Sequence, residues 1–369
     1  MKTKLFRLTS LFVALTLLAV IFLGTAGNQV VAAPPASVPA AVEAGGFMKA
    51  SDSPEFTAST KVWTEAELAA AKPYPVKSFE GNPTFDISPV STEGGPKFSS
   101  AALPDGATGT ALNAEQDFLQ IASPLGYTYP PPFTRYGRYN NQTTFPYVTI
   151  GVLFFNQLGG SWRCSAASVG NYSIWTAGHC THAGNNSAGG WSTNFLFIPA
   201  YKAGASPRGQ WTSYNAVVLT GWYTSGDPRW DLGVVLLNTL SGQKISQRVG
   251  NLGFAANAGT NNHWFSIGYP AETPFNGNNQ IICASSYAYS DTSFGTPYPY
   301  AVGCDQTGGT SGGPRIWQFS HTVSGNYVNG HNDYRYVVPD HPLELFSPYF
   351  GTDAWNLFQY GLSCNPTCP

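Results

Sequence analysis

Between residues 147 and 289 the sequence is a series of short apolar runs, rich in β-branched and aromatic residues. Turn-forming clusters such as residues 184–187 and 276–278 separate them. Short strands at this spacing predict an all-β sandwich or barrel. Near the end of the chain, Thr352–Phe358 is predicted to form one capped helix. The predicted strands are Tyr147–Phe155, Ser173–Ala177, Phe195–Ile198, Ala216–Leu219, Gly233–Leu237, Trp264–Ile267 and Ile281–Tyr289.

The composition agrees with this prediction and excludes one class of partner. Only 10% of the 369 residues are charged, while 40 are Gly and 28 are Pro, which favours many turns over long helices. The chain is long enough for one or two domains with a sizeable core. Its formal net charge of −2 gives no basis for binding a polyanion, so no nucleic-acid partner is expected.

The stretch Met1–Ala33 has the pattern of a secretory signal peptide. A basic start is followed by an apolar core at Leu11–Leu23 and then by small residues at 31–33. The alternative is a membrane anchor, because the apolar stretch 5–23 approaches spanning length. We expect cleavage, and therefore a secreted, extracellular protein with no membrane attachment afterwards.

Residues 34–144 are predicted to be a pro-segment or linker, and residues 145–369 a separate domain. The first stretch is rich in Ala, Pro, Ser and Thr, and all six cysteines lie beyond position 160. Short helical pieces are predicted at Thr64–Ala71 and Ala111–Ile121. The alternative is that residues 34–144 form a small independent domain.

The segment Gly308–Pro314 places Ser311 among four glycines. Glycine loses the most backbone freedom on folding, so such a stretch is typical of a backbone that turns tightly against a substrate. A serine presented there could be a nucleophile, and the amides of Gly309 and Ser311 could point at one oxygen. Taken alone, the segment also fits a glycine-rich surface loop.

Two other segments offer partners for this serine. The run Ser173–Cys180 ends in small residues and presents His179 beside a cysteine. The run Arg229–Leu237 has Asp231 at the start of an apolar strand, and a carboxylate buried there needs a partner such as a histidine N–H. Taken alone, His179 could be a structural residue and Asp231 a solvated turn residue.

A metal site is the alternative use of this histidine. Cys164, His179, Cys180 and His182 could be ligands, but they lack the usual zinc spacings. An exported chain favours disulfides instead. We therefore expect neither a metal nor an organic cofactor.

The three segments together resemble a known family. Residues 176–180 (Thr-Ala-Gly-His-Cys), 231–234 (Asp-Leu-Gly-Val) and 309–314 (Gly-Thr-Ser-Gly-Gly-Pro) are similar to characteristic blocks of the chymotrypsin-like (trypsin-like) serine peptidases, in the same order. The resemblance covers roughly residues 145–361 and looks more like secreted bacterial members, including relatives of glutamyl endopeptidases, than like animal digestive enzymes. It implies an all-β chymotrypsin-like fold: a double six-stranded β-barrel with a short C-terminal helix, preceded by a pro-segment.

The resemblance also implies a mechanism. His179 would be the general base, Asp231 would orient it, and Ser311 would attack the peptide bond to form an acyl-enzyme. The amides of Gly309 and Ser311 would form the oxyanion hole. Thr310 departs from animal members, which carry an aspartate there that pairs with the new N-terminus, so the animal-type activation switch is not expected.

Two other functions compete with this one. Residues 309–313 also match Gly-x-Ser-x-Gly of α/β-hydrolase esterases, but little of the chain follows Ser311 and no βαβ pattern precedes it. The chain could also be an inactive protease fold that serves as a binding module, although all three triad positions are occupied. The esterase would draw its acid and histidine from Asp333, Asp340, Asp353, His331 and His341.

Three disulfides and a maturation site are predicted. Cys164–Cys180 is implied by the family resemblance, Cys283–Cys304 would brace the segment before Ser311, and Cys364–Cys368 follows by elimination and nearness. Six cysteines allow 15 pairings. The active form is expected to begin between about Tyr129 and Pro146, with Arg135 and Arg138 as basic cleavage points.

Two residues give conflicting indications of substrate preference. Asp305 lies six residues before Ser311, where trypsin-like members place the acid that binds Lys or Arg. His331 could line the same pocket and would then favour an acidic side chain, as in glutamyl endopeptidases. We favour the basic preference, because the offset of Asp305 is fixed. The partner is expected to be a protein or peptide substrate, and the enzyme a monomer.

Overall fold

The computed structural model describes residues 46–54, 56, 58, 61–81, 83–90, 95–107, 131–138, 140–337, 343–364 and 367–368. The predicted signal peptide, the helical piece Ala111–Ile121 and two residues of the esterase alternative, Asp340 and His341, lie outside this set. Within it, no helix is long and apolar enough to cross a membrane.

The described residues form twenty strands and five α-helices. The helices are α1 (Glu65–Ala70), α2 (Gly178–Thr181), α3 (Thr220–Ser225), α4 (Ile245–Val249) and α5 (Thr352–Ser363). The strands are β1 (Phe47–Lys49), β2 (Lys72–Pro73), β3 (Lys77–Phe79), β4 (Phe85–Asp86), β5 (Lys97–Ser99), β6 (Phe133–Arg138), β7 (Ile150–Gln157), β8 (Gly160–Ser168), β9 (Ser173–Ala177), β10 (Thr193–Pro199), β11 (Trp211–Leu219), β12 (Leu232–Leu237), β13 (Gly253–Ala256), β14 (His263–Gly268), β15 (Gln280–Asp291), β16 (Tyr300–Gly303), β17 (Pro314–Trp317), β18 (Tyr327–His331), β19 (Tyr334–Tyr336) and β20 (Glu344–Ser347).

Six consecutive strands close into a barrel. They pair in the order β11-β10-β7-β8-β9-β12, and β12 pairs back onto β11. Every pair in this ring is antiparallel. Closure removes the unpaired edges that an open sheet would expose.

Strand β12 illustrates why the barrel strands read as continuous apolar runs. Val235 and Leu237 face one cluster of buried side chains, which includes Phe155. Val234 and Leu236 face a second cluster, which contains residues of α5. Side chains alternate between the two faces of a strand, so a strand covered on both faces is apolar at every position.

A second sheet of ten strands lies beside the barrel in the fold. Its main order is β20-β16-β15-β14-β17-β18-β13-β5, and β4 and β6 also pair with β15. Together with the closed barrel and the helix α5, this sheet confirms the chymotrypsin-like all-β prediction. It has more strands than the expected six: the part of the chain before residue 139 contributes β4, β5 and β6, and the other seven strands lie between residues 253 and 347.

The N-terminal segment, residues 46–107, is more structured than the linker-like sequence suggests. Strands β1 and β2 pair with β11 and β8 of the barrel, and β3 pairs with β19. Helix α1 forms as predicted, because Thr64 and Glu67 make a capping box at its start. Trp63 and Leu68 are buried against the barrel core. That residues 34–144 are a pro-segment stays a prediction.

The three expected disulfides are present. They join Cys164 to Cys180, Cys283 to Cys304 and Cys364 to Cys368. The first bridge uses both thiols of the alternative metal site considered above, so Cys164 and Cys180 are not available as metal ligands.

Candidate active site

His179 lies in the short helix α2, directly after the buried strand β9. Only 3% of the residue is exposed. A Cβ at Gly178 would lie 2.8 Å from the Asp231 carboxylate, so glycine lets this turn approach the acid closely. The bridge Cys164–Cys180 ties the next residue to β8. The position of His179 is therefore fixed on both sides.

Asp231 lies just before β12, where the pairing of Leu232 with Ala177 brings it beside His179. Its Oδ1 accepts a hydrogen bond from the His179 backbone amide at 2.7 Å. Its Oδ2 is 2.9 Å from the ring Nδ1. A buried carboxylate requires such donors. With the proton on Nδ1 directed at this carboxylate, Nε2 is the ring nitrogen left for other chemistry.

Ser311 belongs to the loop between β16 and β17. Its carbonyl accepts a hydrogen bond from the Ser165 amide at 2.8 Å and lies 3.9 Å from Cys180 Sγ, so the loop is docked against the first barrel. The Ser311 Oγ and the His179 Nε2 are both buried without a hydrogen-bond partner among the described residues. Such atoms are rare in folded proteins and indicate a site of chemistry where they occur together.

Gly309 has a backbone conformation that suits glycine, with φ at +90°. Its amide donates a hydrogen bond to the carbonyl of Tyr74, from the N-terminal segment, at 2.9 Å. The preceding amide, of Gly308, donates to the Glu272 carboxylate at 3.1 Å. One predicted oxyanion donor is therefore engaged by a carbonyl of the same chain.

Thr310 is buried in a network of uncharged groups. Its hydroxyl donates to the Gln306 side-chain carbonyl and accepts a hydrogen bond from Asn332 Nδ2 at 2.9 Å. Position 310 therefore provides no carboxylate for an ion pair with a new N-terminus.

Asp305 and His331 have different partners. Asp305 forms an ion pair with Arg135 of β6 at 2.5 Å, with 20% of its side chain exposed. His331 is fully buried, and its Nδ1 is 3.2 Å from the indole nitrogen of Trp175. Burial lowers the pKa of His331 to about 3, so its ring is neutral. Neither residue presents a free charge, and their roles in substrate binding stay predictions.

The electrostatics of the site stabilise a charged histidine. Burial alone would lower the pKa of His179, but the carboxylates of Asp231 and Asp333 outweigh burial and raise it to about 9. Burial also opposes the ionisation of Asp231, yet the adjacent His179 keeps the pKa of this acid below its ordinary value.

Two residues at the site were not assigned to it by the sequence. Asp333 has a carboxylate oxygen 3.3 Å from His179 Nδ1, although the sequence suggested it only as an acid for the esterase alternative. Tyr74 stacks on the His179 ring, with the ring centroids 5.3 Å apart. No motif marks either residue, since each reaches the site through long-range strand pairing.

Two solved structures are similar to this chain over most of their length. No protein-family model matches the chain. The chain is similar to the protease Anisep from Arthrobacter nicotinovorans, with 33% identity and a TM-score of 0.54 over 58% of this chain and 96% of that one. It is also similar to the thermostable serine protease AL20 from an extremophilic microorganism, with 32% identity and a TM-score of 0.54 over 59% and 98% of the two chains.

One curated protein is also similar to part of the chain. An extracellular metalloprotease of Bacillus subtilis is 25% identical over 111 residues, which are 29% of this chain and 34% of that protein. The match thus spans about a third of that relative's length.

The two solved structures carry the assignment, because this chain covers nearly all of each of them at an identity of 33% or 32%. The esterase and the inactive binding module are not favoured, since the sheets are mainly antiparallel and the relatives are proteases. The chain belongs to the chymotrypsin-like serine peptidases and is a serine endopeptidase.

Proposed function

We propose that His179, Asp231 and Ser311 are the catalytic triad of this endopeptidase. The observation that carries the proposal is the double attachment of Asp231, which holds both the backbone and the ring of His179. It directs Nε2 away from the acid, as a general base requires. The unpartnered Ser311 Oγ supplies the nucleophile.

The reaction follows from these roles. His179 Nε2 takes the hydroxyl proton as Ser311 Oγ bonds to the scissile carbonyl carbon, and returns it to the leaving amine as the C–N bond breaks. A water molecule then attacks the acyl-enzyme by the same proton route and releases the acid. Asp231 stabilises the imidazolium in both steps. The amides of Gly309 and Ser311 stabilise the oxyanion, at about 10²–10³ in rate per donor.

The full-length chain is proposed to be a latent precursor. The Tyr74 amide donates to the Arg163 carbonyl at 2.9 Å, which continues the pairing of β2 with β8. The Tyr74 ring covers His179, and its carbonyl takes the Gly309 amide. A substrate carbonyl cannot use this donor while Tyr74 does, so residues 72–79 act as an inhibitory plug.

Lys77 anchors the far side of this plug. Its ammonium group donates to the Gly226 carbonyl at 2.5 Å and lies 4.7 Å from the centroid of the Trp222 ring. Two residues further along, β3 ends its pairing with β19. Contacts on both sides of Tyr74 support a plug that is held along its length.

Secretion and maturation complete the proposal. The segment Met1–Ala33 directs export, and a later cut removes the plug. Strand β6 pairs with β15 over the whole of Phe133–Arg138, so a start between Tyr129 and Phe133, within the predicted window, keeps this strand in the mature enzyme. Arg135 then remains paired with Asp305. For the mature enzyme to cut substrates after Lys or Arg, this ion pair has to open so that Asp305 can bind the basic side chain.

Labelling with a fluorophosphonate tests the triad. Ser311→Ala should abolish labelling of the processed enzyme and lower peptidase turnover by about 10⁴–10⁶-fold, because the nucleophile is lost. Ser320→Ala, in an outer turn of the same sheet, is the matched control and should leave both unchanged. Labelling that persists in Ser311→Ala would place the nucleophile elsewhere.

A further inference from the structure

A second carboxyl group faces the ring nitrogen that Asp231 engages. Asp333 directly precedes β19, and its amide donates to the Phe346 carbonyl at 3.0 Å. The residue is fully buried, and its Oδ1 lies 3.3 Å from His179 Nδ1. Neither carboxyl oxygen has a hydrogen-bond partner among the described residues.

Three titratable groups therefore share one small buried volume. One ligand-capable atom each from His179, Asp231 and Asp333 lies within 4.8 Å of the other two. Two carboxylates this close cannot both ionise beside a neutral imidazole without a large penalty, since burial and like charge each oppose it. The cluster thus retains one proton more than a histidine and a single aspartate would.

We propose that Asp333 is a positioning residue that shares this proton with Asp231 and His179, and thereby raises the pH at which His179 becomes a base. The proposal rests on the triad proposed above. When the proton is on Asp333, its O–H can donate to the Asp231 carboxylate and the imidazole is neutral. When the proton is on His179, two carboxylates stabilise the imidazolium, and the histidine cannot accept the Ser311 proton.

The surrounding charges are compatible with this exchange. Burial, and to a smaller extent the charge of Asp231, raises the pKa of Asp333 to about 8. His331 is neutral near Asp231, and Arg315 of β17 and Tyr334 of β19 also face Asp333. In the precursor, Lys77 adds a positive charge near Asp231. Because processing removes Lys77, pKa values measured on the precursor include the effect of a positive charge that the processed enzyme lacks.

Nuclear magnetic resonance of histidine-labelled full-length chain tests the proposal without using activity. In a Ser311→Ala background, His179 should titrate well above pH 6.5. Asp333→Asn removes a negative charge about 3 Å from the ring with little change of shape, so the His179 pKa should fall by about 1–3 units. Asp353→Asn removes the same charge at the exposed start of α5 and should leave the titration unchanged.

Kinetics of the processed enzyme give the second measurement. In Asp333→Asn, the acid limb of kcat/KM against pH should move to lower pH by a similar amount, because less imidazolium has to be deprotonated. Asp333→Ser, with a smaller neutral side chain, should behave in the same way, and near-ultraviolet circular dichroism checks the folding of both. Unchanged His179 titration in a folded neutral variant would overturn the role of Asp333. Activity that survives in Ser311→Ala would instead contradict the triad.

Discussion

The first barrel and the second sheet differ in where their strands come from. The barrel closes with six strands drawn from the continuous stretch 150–237, and the N-terminal segment only adds β1 and β2 to it. The second sheet takes β4, β5 and β6 from residues before 139. The proposed base, His179, and its acid, Asp231, thus belong to a self-contained unit. The loop that carries Ser311 belongs to a sheet that includes strands from the N-terminal part of the chain, some of which is expected to be removed.

Under the proposal above, this difference lets one segment contribute strands to the fold and also inhibit the site. Removing residues 46–107 would leave the barrel ring intact but would take β4 and β5 from the second sheet. The same segment carries Tyr74 to the Gly309 amide. Loss of the segment would therefore free the Gly309 amide, the proposed oxyanion donor, while the strands that carry His179 and Asp231 keep their pairing partners.

The largest of the three effects predicted here concerns the barrel, which positions His179 and Asp231. Asp231→Asn in the processed enzyme should lower turnover by about 10⁴-fold while the fold is retained, because an amide cannot enforce the same histidine tautomer. Steady-state kinetics with a peptide substrate measure this loss. Asp227→Asn, in the preceding turn where the carboxylate pairs with Arg229, is the control. Turnover near that of wild type in Asp231→Asn would remove this acid from the site.

A smaller effect is expected when the contact between the plug and the site is weakened. Tyr74→Ala in the uncleaved precursor should increase the rate of fluorophosphonate labelling by roughly tenfold. The stacking contact is worth about 0.5–1.5 kcal/mol, and the lost hydrogen bond from its hydroxyl to Gln157 about 1 kcal/mol. Labelling is followed on the full-length band in a gel. Tyr74→Phe keeps the ring and should fall between the two, whereas equal labelling of all three precursors would exclude the Tyr74 side chain from inhibition and leave only its carbonyl.

The smallest expected effect concerns the second sheet, where Arg135 of β6 pairs with Asp305 in the loop that carries Ser311. Arg135→Gln in the processed enzyme should raise cleavage after Lys or Arg by up to about fivefold, because it frees Asp305 from an exposed ion pair worth at most about 1 kcal/mol. Arg138→Gln lies on the same strand but stacks over Tyr147, and serves as the control. Mass spectrometry of the peptides cut from a denatured protein mixture supplies the profile. Cuts mainly after Glu in both variants would contradict the basic preference.

Local patterns in the sequence predicted much of the barrel. Ser173–Ala177 is a strand with the predicted bounds, and outside the barrel the helical piece predicted at Thr64–Ala71 forms α1. The run from Tyr147 begins as a single 3₁₀ turn before β7, and α5 continues to Ser363, beyond the predicted Phe358. These differences are at element ends, where local signals are weakest.

The contributions of the N-terminal segment could not be predicted in the same way. Lys77–Phe79 has no alternating pattern, and it becomes a strand only because Tyr334–Tyr336 is available to pair with it. Strand formation depends on such long-range partners more than on intrinsic preference. Asp333 could not be predicted as a neighbour of His179 for the same reason: nothing in its own stretch of sequence indicates that His179, from the barrel, lies 3.3 Å away.

The strands that cross the site, β2 and β3, are two and three residues long, and both pair in parallel. While the chain is continuous, the proposed plug would act at an effective concentration set by the chain that links it to the enzyme, so latency would not depend on the protein concentration. A cut that gives the proposed start between Tyr129 and Phe133 would turn plug and enzyme into a bimolecular complex that obeys mass action. Freshly cut enzyme is therefore expected to stay inactive in a concentrated solution and to become active on dilution.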